Sequence, residues 1–186
     1  MKPVLIKDLF SSEDLVELHR IINLKEHTLD EPDMGRTLHN LDSLQKSYLG
    51  KKVIKMVSDI VGKNLKMTSE GYAVYKKELG IPSLSPHVDG SFTEYILDYQ
   101  VDSNIEWPII VEEEPVFLKD NEAVLFSSKY DFHWRPKKEF NDKDFISMIF
   151  FHFVDVDNPD AAGQINLSDG NKIKFEKYIS LWENGQ

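Results

Sequence analysis

Residues 83–95 read SLSPHVDGSFTEY and set His87 and Asp89 two positions apart, just after Pro86 and just before Gly90. On an extended segment, residues i and i+2 project to one side, because strand side chains alternate with period two. The pair can therefore share one metal ion. With 17 aspartates in 186 residues, however, a His-x-Asp pair is commonplace by chance. A polar turn, with Asp89 ahead of Gly90, accounts for it equally well when the pair is taken alone. The surrounding chain has to decide between the two.

Around this stretch, everything after Gly62 consists of short runs rich in β-branched and aromatic residues, bounded by Gly, Pro, Asn and Asp. They are YAVYKKE, TEYILDYQV, PIIVE, PVFLK, AVLFSS and FISMIFFHFV, and each reads as a strand. Ahead of them, SSEDLVELHRII pairs Ser11 with Asp14 in a capping pattern and spaces Leu15, Leu18 and Ile22 as one helix face. A second helical stretch runs from near Asp42 to Gly62, a residue type favoured just past a helix end. The polar EHTLDEPDMGRTLHN between them reads as turns, and INLSDGNKIKFEKYISLW as a hairpin turned by Asp169-Gly170 with a short last helix. Helices first and strands afterwards predict an α+β, mainly β fold in which helices cover one face of an antiparallel sandwich or barrel. No linker or repeat divides the chain, so residues 1–186 are expected to form one domain: 1–62 mainly helical, 63–155 the strand core, and 156–186 a C-terminal extension.

Composition narrows the functional classes. A balance of 22 basic against 32 acidic residues leaves a net charge of −10, which opposes binding to nucleic-acid phosphates. With no cysteine, any metal must be held by nitrogen and oxygen. Neither a secretory leader nor a membrane-spanning run is visible, and a cytoplasmic protein without membrane partners is expected.

A third ligand should project from a strand toward the same interior as His87 and Asp89. His133 is the candidate: it follows NEAVLFSSKYDF, where a turn at Asp120-Asn121 leads into an apolar strand and a short loop. Two histidines and one carboxylate on a single face leave adjacent coordination positions open, the arrangement associated with non-haem Fe(II) oxygenases.

At this point the chain resembles the 2-oxoglutarate/Fe(II)-dependent oxygenases of the prolyl-hydroxylase-like, His-x-Asp…His type. The likeness rests on Tyr75 and Gly80 leading into SPHVDG, on NEAVLFSS, and on HWRP, and it covers roughly residues 70–155. It implies a double-stranded β-helix, a cupin-like jelly roll, with the N-terminal helices packed on the major sheet. It also implies Fe(II) bound by His87, Asp89 and His133, no catalytic residue beyond these ligands, and 2-oxoglutarate as co-substrate. The far carboxylate of 2-oxoglutarate would be anchored by Arg135 or Lys143. Arg135 is two residues beyond His133 and so shares its strand face, whereas Lys143 sits nearer the family's usual spacing. Tyr75 is a further candidate for that carboxylate. Dioxygen is the oxidant, ascorbate a candidate reductant, and the implied reaction hydroxylates a C–H bond of a small molecule or amino-acid side chain, releasing succinate and CO2. An aspartate at position 89 leaves no position for a halide, which disfavours a halogenase. Substrate choice is assigned to the loops at residues 25–42, 90–94 and 136–144. The rivals are an oxoglutarate-independent cupin-type metalloenzyme and a catalytically silent jelly-roll binding module.

The remaining candidates have plainer readings. His152, in the apolar FFHFV, is expected to be a satisfied core or surface histidine, and His19, His27 and His39 to be solvated. Asp131 is expected at most to orient His133. The run Glu112 to Glu114 reads as a solvated hairpin end, while Trp107, Tyr95 and Tyr99 either line a pocket or pack.

Overall fold

A computed structural model describes residues 1–24, 27–90, 92–157 and 169–185. Ser11 accepts from the Asp14 backbone N–H while the Asp14 carboxylate accepts from that of Ser11. This reciprocal cap starts helix α1 (Ser12–Ile22), which buries Leu18, Ile21 and Ile22. The second helical stretch is in fact two helices, α2 (Asp42–Lys46) and α3 (Tyr48–Val61). They are separated at Ser47, which is extended and caps the Gly50 N–H. Gly50 is required at this joint: a Cβ there would lie 2.5 Å from the Leu44 carbonyl oxygen and 2.7 Å from that of Gln45. Gly62, at φ 73°, closes α3 as the sequence predicts.

Strands β1 (Val4–Ile6), β2 (Thr28–Glu31), β3 (Arg36–Asn40), β4 (Leu65–Lys76), β6 (Tyr95–Ser103), β9 (Ala123–Phe126) and β11 (Phe145–Asp155) form a seven-stranded sheet in the order β1-β9-β6-β11-β4-β3-β2. Strands β5 (Leu84–His87), β7 (Ile109–Val111), β8 (Glu114–Val116) and β10 (His133–Arg135) form a second sheet in the order β5-β10-β7-β8. Every pairing is antiparallel. Each of the six apolar runs contributes to a strand, although PVFLK does so only through Pro115 and Val116. Residues 28–31 and 36–40, expected as turns, instead form a hairpin at the edge of the large sheet, and β1 was likewise not anticipated, whereas β5 and β10 are the extended segments expected to carry His87 and His133.

Period-two alternation sorts the strands between two cores. From β11, Ile149, Phe151 and Phe153 join Leu97 and Tyr99 against Leu18, Leu44, Val53 and Val57 of the helices. Ile146, Met148 and Phe150 point the other way, into a core between the sheets with Tyr75, Ile109, Val111 and Phe126. On β4 the register slips opposite His152 and Phe153, which pair with Ser69 and Met67 and leave Thr68 unmatched. That extra residue reverses the phase, so Met67 faces the helices while Ala73 and Tyr75 face the inter-sheet core. The arrangement is a double-stranded β-helix with α1–α3 packed on its major sheet.

The expected C-terminal hairpin is replaced by helix α4 (Asp169–Glu183); residues 165–168, its expected first arm, lie outside the described residues. Tyr178, Leu181 and Trp182 form an apolar stripe that packs on Ile110, Phe132 and Trp134, covering the outer face of the small sheet. Glu112 turns the β7–β8 hairpin at φ 49°, and it is more than a solvated end: its carboxylate accepts from Tyr178 Oη and Lys174 Nζ. Among the described residues no helix is long and apolar enough to cross a membrane.

Candidate metal centre

Pairing within the small sheet sets His87 at the end of β5 directly opposite His133 on β10. Asp89 follows β5 in a loop whose position is fixed by a 2.8 Å bond from its own N–H to the Ser128 carbonyl. Asp89 Oδ1 lies 3.6 Å from His87 Nε2 and 3.9 Å from His133 Nε2, and the three ligand atoms all fall within 4.8 Å of one another. Each imidazole Nδ1 faces a backbone carbonyl: Ser85 at 2.8 Å for His87, and Asp131 at 3.2 Å for His133. Since a carbonyl only accepts, Nδ1 carries the proton and the Nε2 lone pair is left pointing at Asp89. Asp131 thus orients His133 through its main chain, not its carboxylate.

His133 is fully buried, and burial together with the adjacent His87 holds its pKa far below the usual histidine range, so the ring is neutral. Asp89 Oδ2 is buried without a hydrogen-bond partner. Two neutral imidazoles and a carboxylate with an unsatisfied oxygen are a donor set that fits a divalent first-row cation such as Fe(II).

These groups stand in the wall of a cavity of about 460 Å³, whose apolar lining includes Leu29, Leu38, Leu84, Ile96 and Phe150. Three polar residues that the sequence reading passed over also matter here. Asp98, on β6, lines the cavity, is almost fully buried and holds Oδ2 3.6 Å from Arg135 Nη2, while its Oδ1 has no partner. Burial pushes its pKa up to about 7 against the opposing pull of Arg135. Arg36, on β3, also lines the cavity and donates from Nη1 to Tyr75 Oη at 3.0 Å. His152 lines it too, with Nδ1 3.1 Å from Ser69 Oγ, but is not one of the converging ligands.

Of the residues expected to meet the far carboxylate of a co-substrate, Tyr75 and Arg135 are buried between the sheets and Lys143 is not. Lys143 is exposed in the turn before β11, where its backbone bonds Asn141 and Asn104. His19 is exposed, as read, and His27 is exposed while lining the cavity. His39 departs from expectation: it is buried, stacks on Tyr72 at 5.7 Å and has Nδ1 2.9 Å from Thr28 Oγ1. Trp107 packs edge-on to Tyr75 and donates to the Pro136 carbonyl, and Tyr99 packs under the helices. A carboxylate inside the apolar run YILDYQV was the signal for Asp98. Arg36 gave none, because its segment reads as polar turns.

The chain matches no protein-family profile, and no curated protein sequence matches it. Solved structures do match its fold. An oxidoreductase of the 2OG-Fe(II) oxygenase family from Burkholderia pseudomallei superposes with a TM-score of 0.64 at 10% identity, over 81% of this chain and 83% of that one. The non-haem α-ketoglutarate-dependent epimerase SnoN of nogalamycin biosynthesis also gives 0.64 at 10% identity, over 82% and 77%. HygX from Streptomyces hygroscopicus, with nickel and 2-oxoglutarate bound, gives 0.59 at 12% identity, over 83% of each chain. The fold is that of the 2-oxoglutarate/Fe(II) oxygenases.

Proposed function

We propose that this chain, built on the 2-oxoglutarate/Fe(II) oxygenase fold, is an Fe(II)- and 2-oxoglutarate-dependent dioxygenase. It would hydroxylate a C–H bond of a small molecule or amino-acid side chain and release succinate and CO2. The observation that carries the proposal is the convergence of His87 Nε2, His133 Nε2 and Asp89 Oδ1 at the wall of a largely apolar cavity. HygX, similar in fold, has nickel and 2-oxoglutarate bound.

In this reading the two histidines and Asp89 hold the iron, and Asp89 fills a position that a halide would need. Iron with 2-oxoglutarate and dioxygen supplies the oxidising chemistry that no side chain can, with ascorbate as a candidate reductant. The protein's own part is orientation and dryness. Ser85 and Asp131 carbonyls fix the two imidazoles, and Leu38, Ile96 and Phe150 keep water from the reacting face. The far carboxylate of 2-oxoglutarate would be met in the interior, where Tyr75, Arg36 and Arg135 are the candidate donors; Lys143, out in its turn, is poorly placed for it. Substrate choice would lie with the segments at 25–42, 90–94 and 136–144, of which Lys25, Glu26 and Ser91 lie outside the described residues. A net charge of −10 weighs against a nucleic-acid substrate, and the composition suits a cytoplasmic enzyme.

The test is co-substrate turnover. Purified protein given Fe(II), ascorbate and 2-oxoglutarate should form succinate slowly, and faster when a compound from a metabolite and peptide panel is its substrate. Product mass would separate oxygen insertion from the epimerisation after which SnoN is named. Iron without succinate under any condition would favour an oxoglutarate-independent metalloenzyme, and no iron at all a silent binding module.

A further inference from the structure

We infer that Arg36, backed by Tyr75, takes the far carboxylate of 2-oxoglutarate, and that Asp98 removes Arg135 from that role. The inference rests on the oxoglutarate-dependent function proposed for the chain. It reassigns the anchor from the strand that carries the distal histidine to a strand 51 residues ahead of His87.

Arg135 makes its contacts away from the cavity, and of its guanidinium nitrogens only the buried Nε is without a partner. Its Nη1 donates to the Trp107 carbonyl at 3.0 Å, its guanidinium lies 5.0 Å from the Trp107 ring centroid, and Nη2 sits between Asp98 Oδ2 at 3.6 Å and Met148 Sδ at 3.9 Å. Asp98 lines the cavity and Arg135 does not. The wall that a dianion in the cavity meets therefore includes Asp98, whose Oδ1 has no partner, and not the Arg135 guanidinium. An ionised Asp98 repels a second carboxylate in this low-dielectric interior, and a protonated one leaves the position without net positive charge.

Arg36 is paired with a carboxylate too, that of Glu31, but differs from Arg135 in its position. It lines the cavity, and its Nε and Nη1 are bonded to Glu31 Oε2 and Tyr75 Oη, while Nη2 has no hydrogen-bond partner among the described residues. The guanidinium stands 5.8 Å from the Tyr75 ring centroid and 5.6 Å from that of Phe150, aromatic walls that strip it of water. Tyr75 is fully buried and does not itself line the cavity, but it touches the lining through Arg36, from which its oxygen accepts, so its own O–H is spare; no acceptor for it exists among the described residues. A guanidinium N–H and a phenol O–H left over side by side are two donors suited to one carboxylate.

The backbone fixes this pair without help from a ligand. Arg36 and Tyr75 are direct partners in the β3–β4 ladder, and Arg36 is opposite Glu31 across the β2–β3 hairpin. Gly35, next to Arg36, has φ +63° and sits so close to the 81–82 peptide that a Cβ would lie 2.6 Å from Pro82 N. The hairpin is thus pinned against the segment that leads into β5 and His87.

The experiment is an anaerobic titration of the Fe(II)-loaded chain with 2-oxoglutarate and, separately, with 2-oxopentanoate, which has the same metal-binding end but no far carboxylate. Binding is followed by the visible absorption band and by calorimetry. Wild type should bind 2-oxoglutarate the more tightly. Arg36→Gln should weaken 2-oxoglutarate roughly ten- to a hundredfold, toward the affinity of 2-oxopentanoate, and leave 2-oxopentanoate unchanged. Arg36→Lys, which keeps the charge but loses the fork, should fall between and serves if the Gln variant does not fold. Undiminished 2-oxoglutarate affinity in these variants, or equal weakening of both acids, would overturn the assignment. If wild type bound neither acid, the oxoglutarate-dependent function would fall first, and this inference with it.

Discussion

His87 and His133 are opposite each other in the β5–β10 ladder, with ring centroids 4.2 Å apart. Cross-strand pairing, together with the carbonyls of Ser85 and Asp131, thus sets both imidazoles before any ion arrives. A site held by main-chain geometry should lose its metal, and not its fold, when one ligand is removed.

His87→Ala, Asp89→Ala and His133→Ala are each expected to lower iron from about one per chain to near zero after desalting, since two protein ligands hold the ion far less well. Elemental analysis beside circular dichroism checks this. Full iron content in the two histidine variants would remove the three-ligand site. Saturating wild type with Fe(II) at about 100 times its Kd should add roughly 2.7 kcal/mol to its stability.

Lys143→Ala should leave 2-oxoglutarate affinity unchanged within error, because the side chain is exposed in a turn and lines no part of the cavity. A tenfold loss in the same titration would bring Lys143 back as an anchor.

At the joint between α2 and α3, Gly50→Ala should destabilise by about 1–3 kcal/mol, because the new methyl group meets two backbone carbonyls that cannot swing aside. A lower urea midpoint with an unchanged slope is the expected signature.

Asp14 supplies a pH dependence. The Lys52 ammonium bonded to it, together with two bonds from Ser11, lowers its pKa to about 2, outweighing its burial. Because the folded value lies below the unfolded one, the stabilisation is complete above about pH 5 and lost as pH falls toward 2. Lys52 is half exposed, which limits the contribution to about 1–2 kcal/mol. Asp14→Asn, which can still cap Ser11, should cost that much at pH 7 and almost nothing at pH 2. An equal loss at both pH values would assign the effect to packing.

Helix α4 holds β10 from behind, since Trp182 Nε1 donates to the Arg135 carbonyl at 3.1 Å and Tyr178 Oη to Glu112 at 2.9 Å. Tyr178→Phe should cost about 1 kcal/mol through the unpaired acceptor, and Trp182→Ala about 3–5 kcal/mol through lost packing. Chemical denaturation measures both. A Trp182→Ala protein as stable as wild type would mean that α4 is not docked in solution.

Much of this was legible in the chain because it depended on local signals. Ser11 with Asp14 announced a cap, Gly62 an end, and the apolar runs their strands, while His87, Asp89 and His133 stood out by residue type and order. What escaped depended on partners. Thr28–Glu31 and Arg36–Asn40 lie at a sheet edge and carry few apolar side chains, so nothing periodic marks them, and Arg36 stayed hidden within them. Asp169-Gly170 is a turn signal for a hairpin, but the stripe of Tyr178, Leu181 and Trp182 answers to Phe132 and Trp134, which no local window contains.

The central place of β11 has a consequence for how the molecule comes to be. Residues 145–155 pair along their length with β4 on one side and β6 on the other, and β1, at residues 4–6, waits for β9 at 123–126. Contacts so distant along the chain make for folding on the scale of milliseconds to seconds, since long loops must close before they are rewarded. Until β11 docks, the inner edges of β4 and β6 expose unpaired backbone flanked by aromatic side chains, the kind of surface on which chains aggregate. Recovery from denaturant should therefore depend steeply on protein concentration, and dilute, cool refolding is the condition under which this chain reaches its native form.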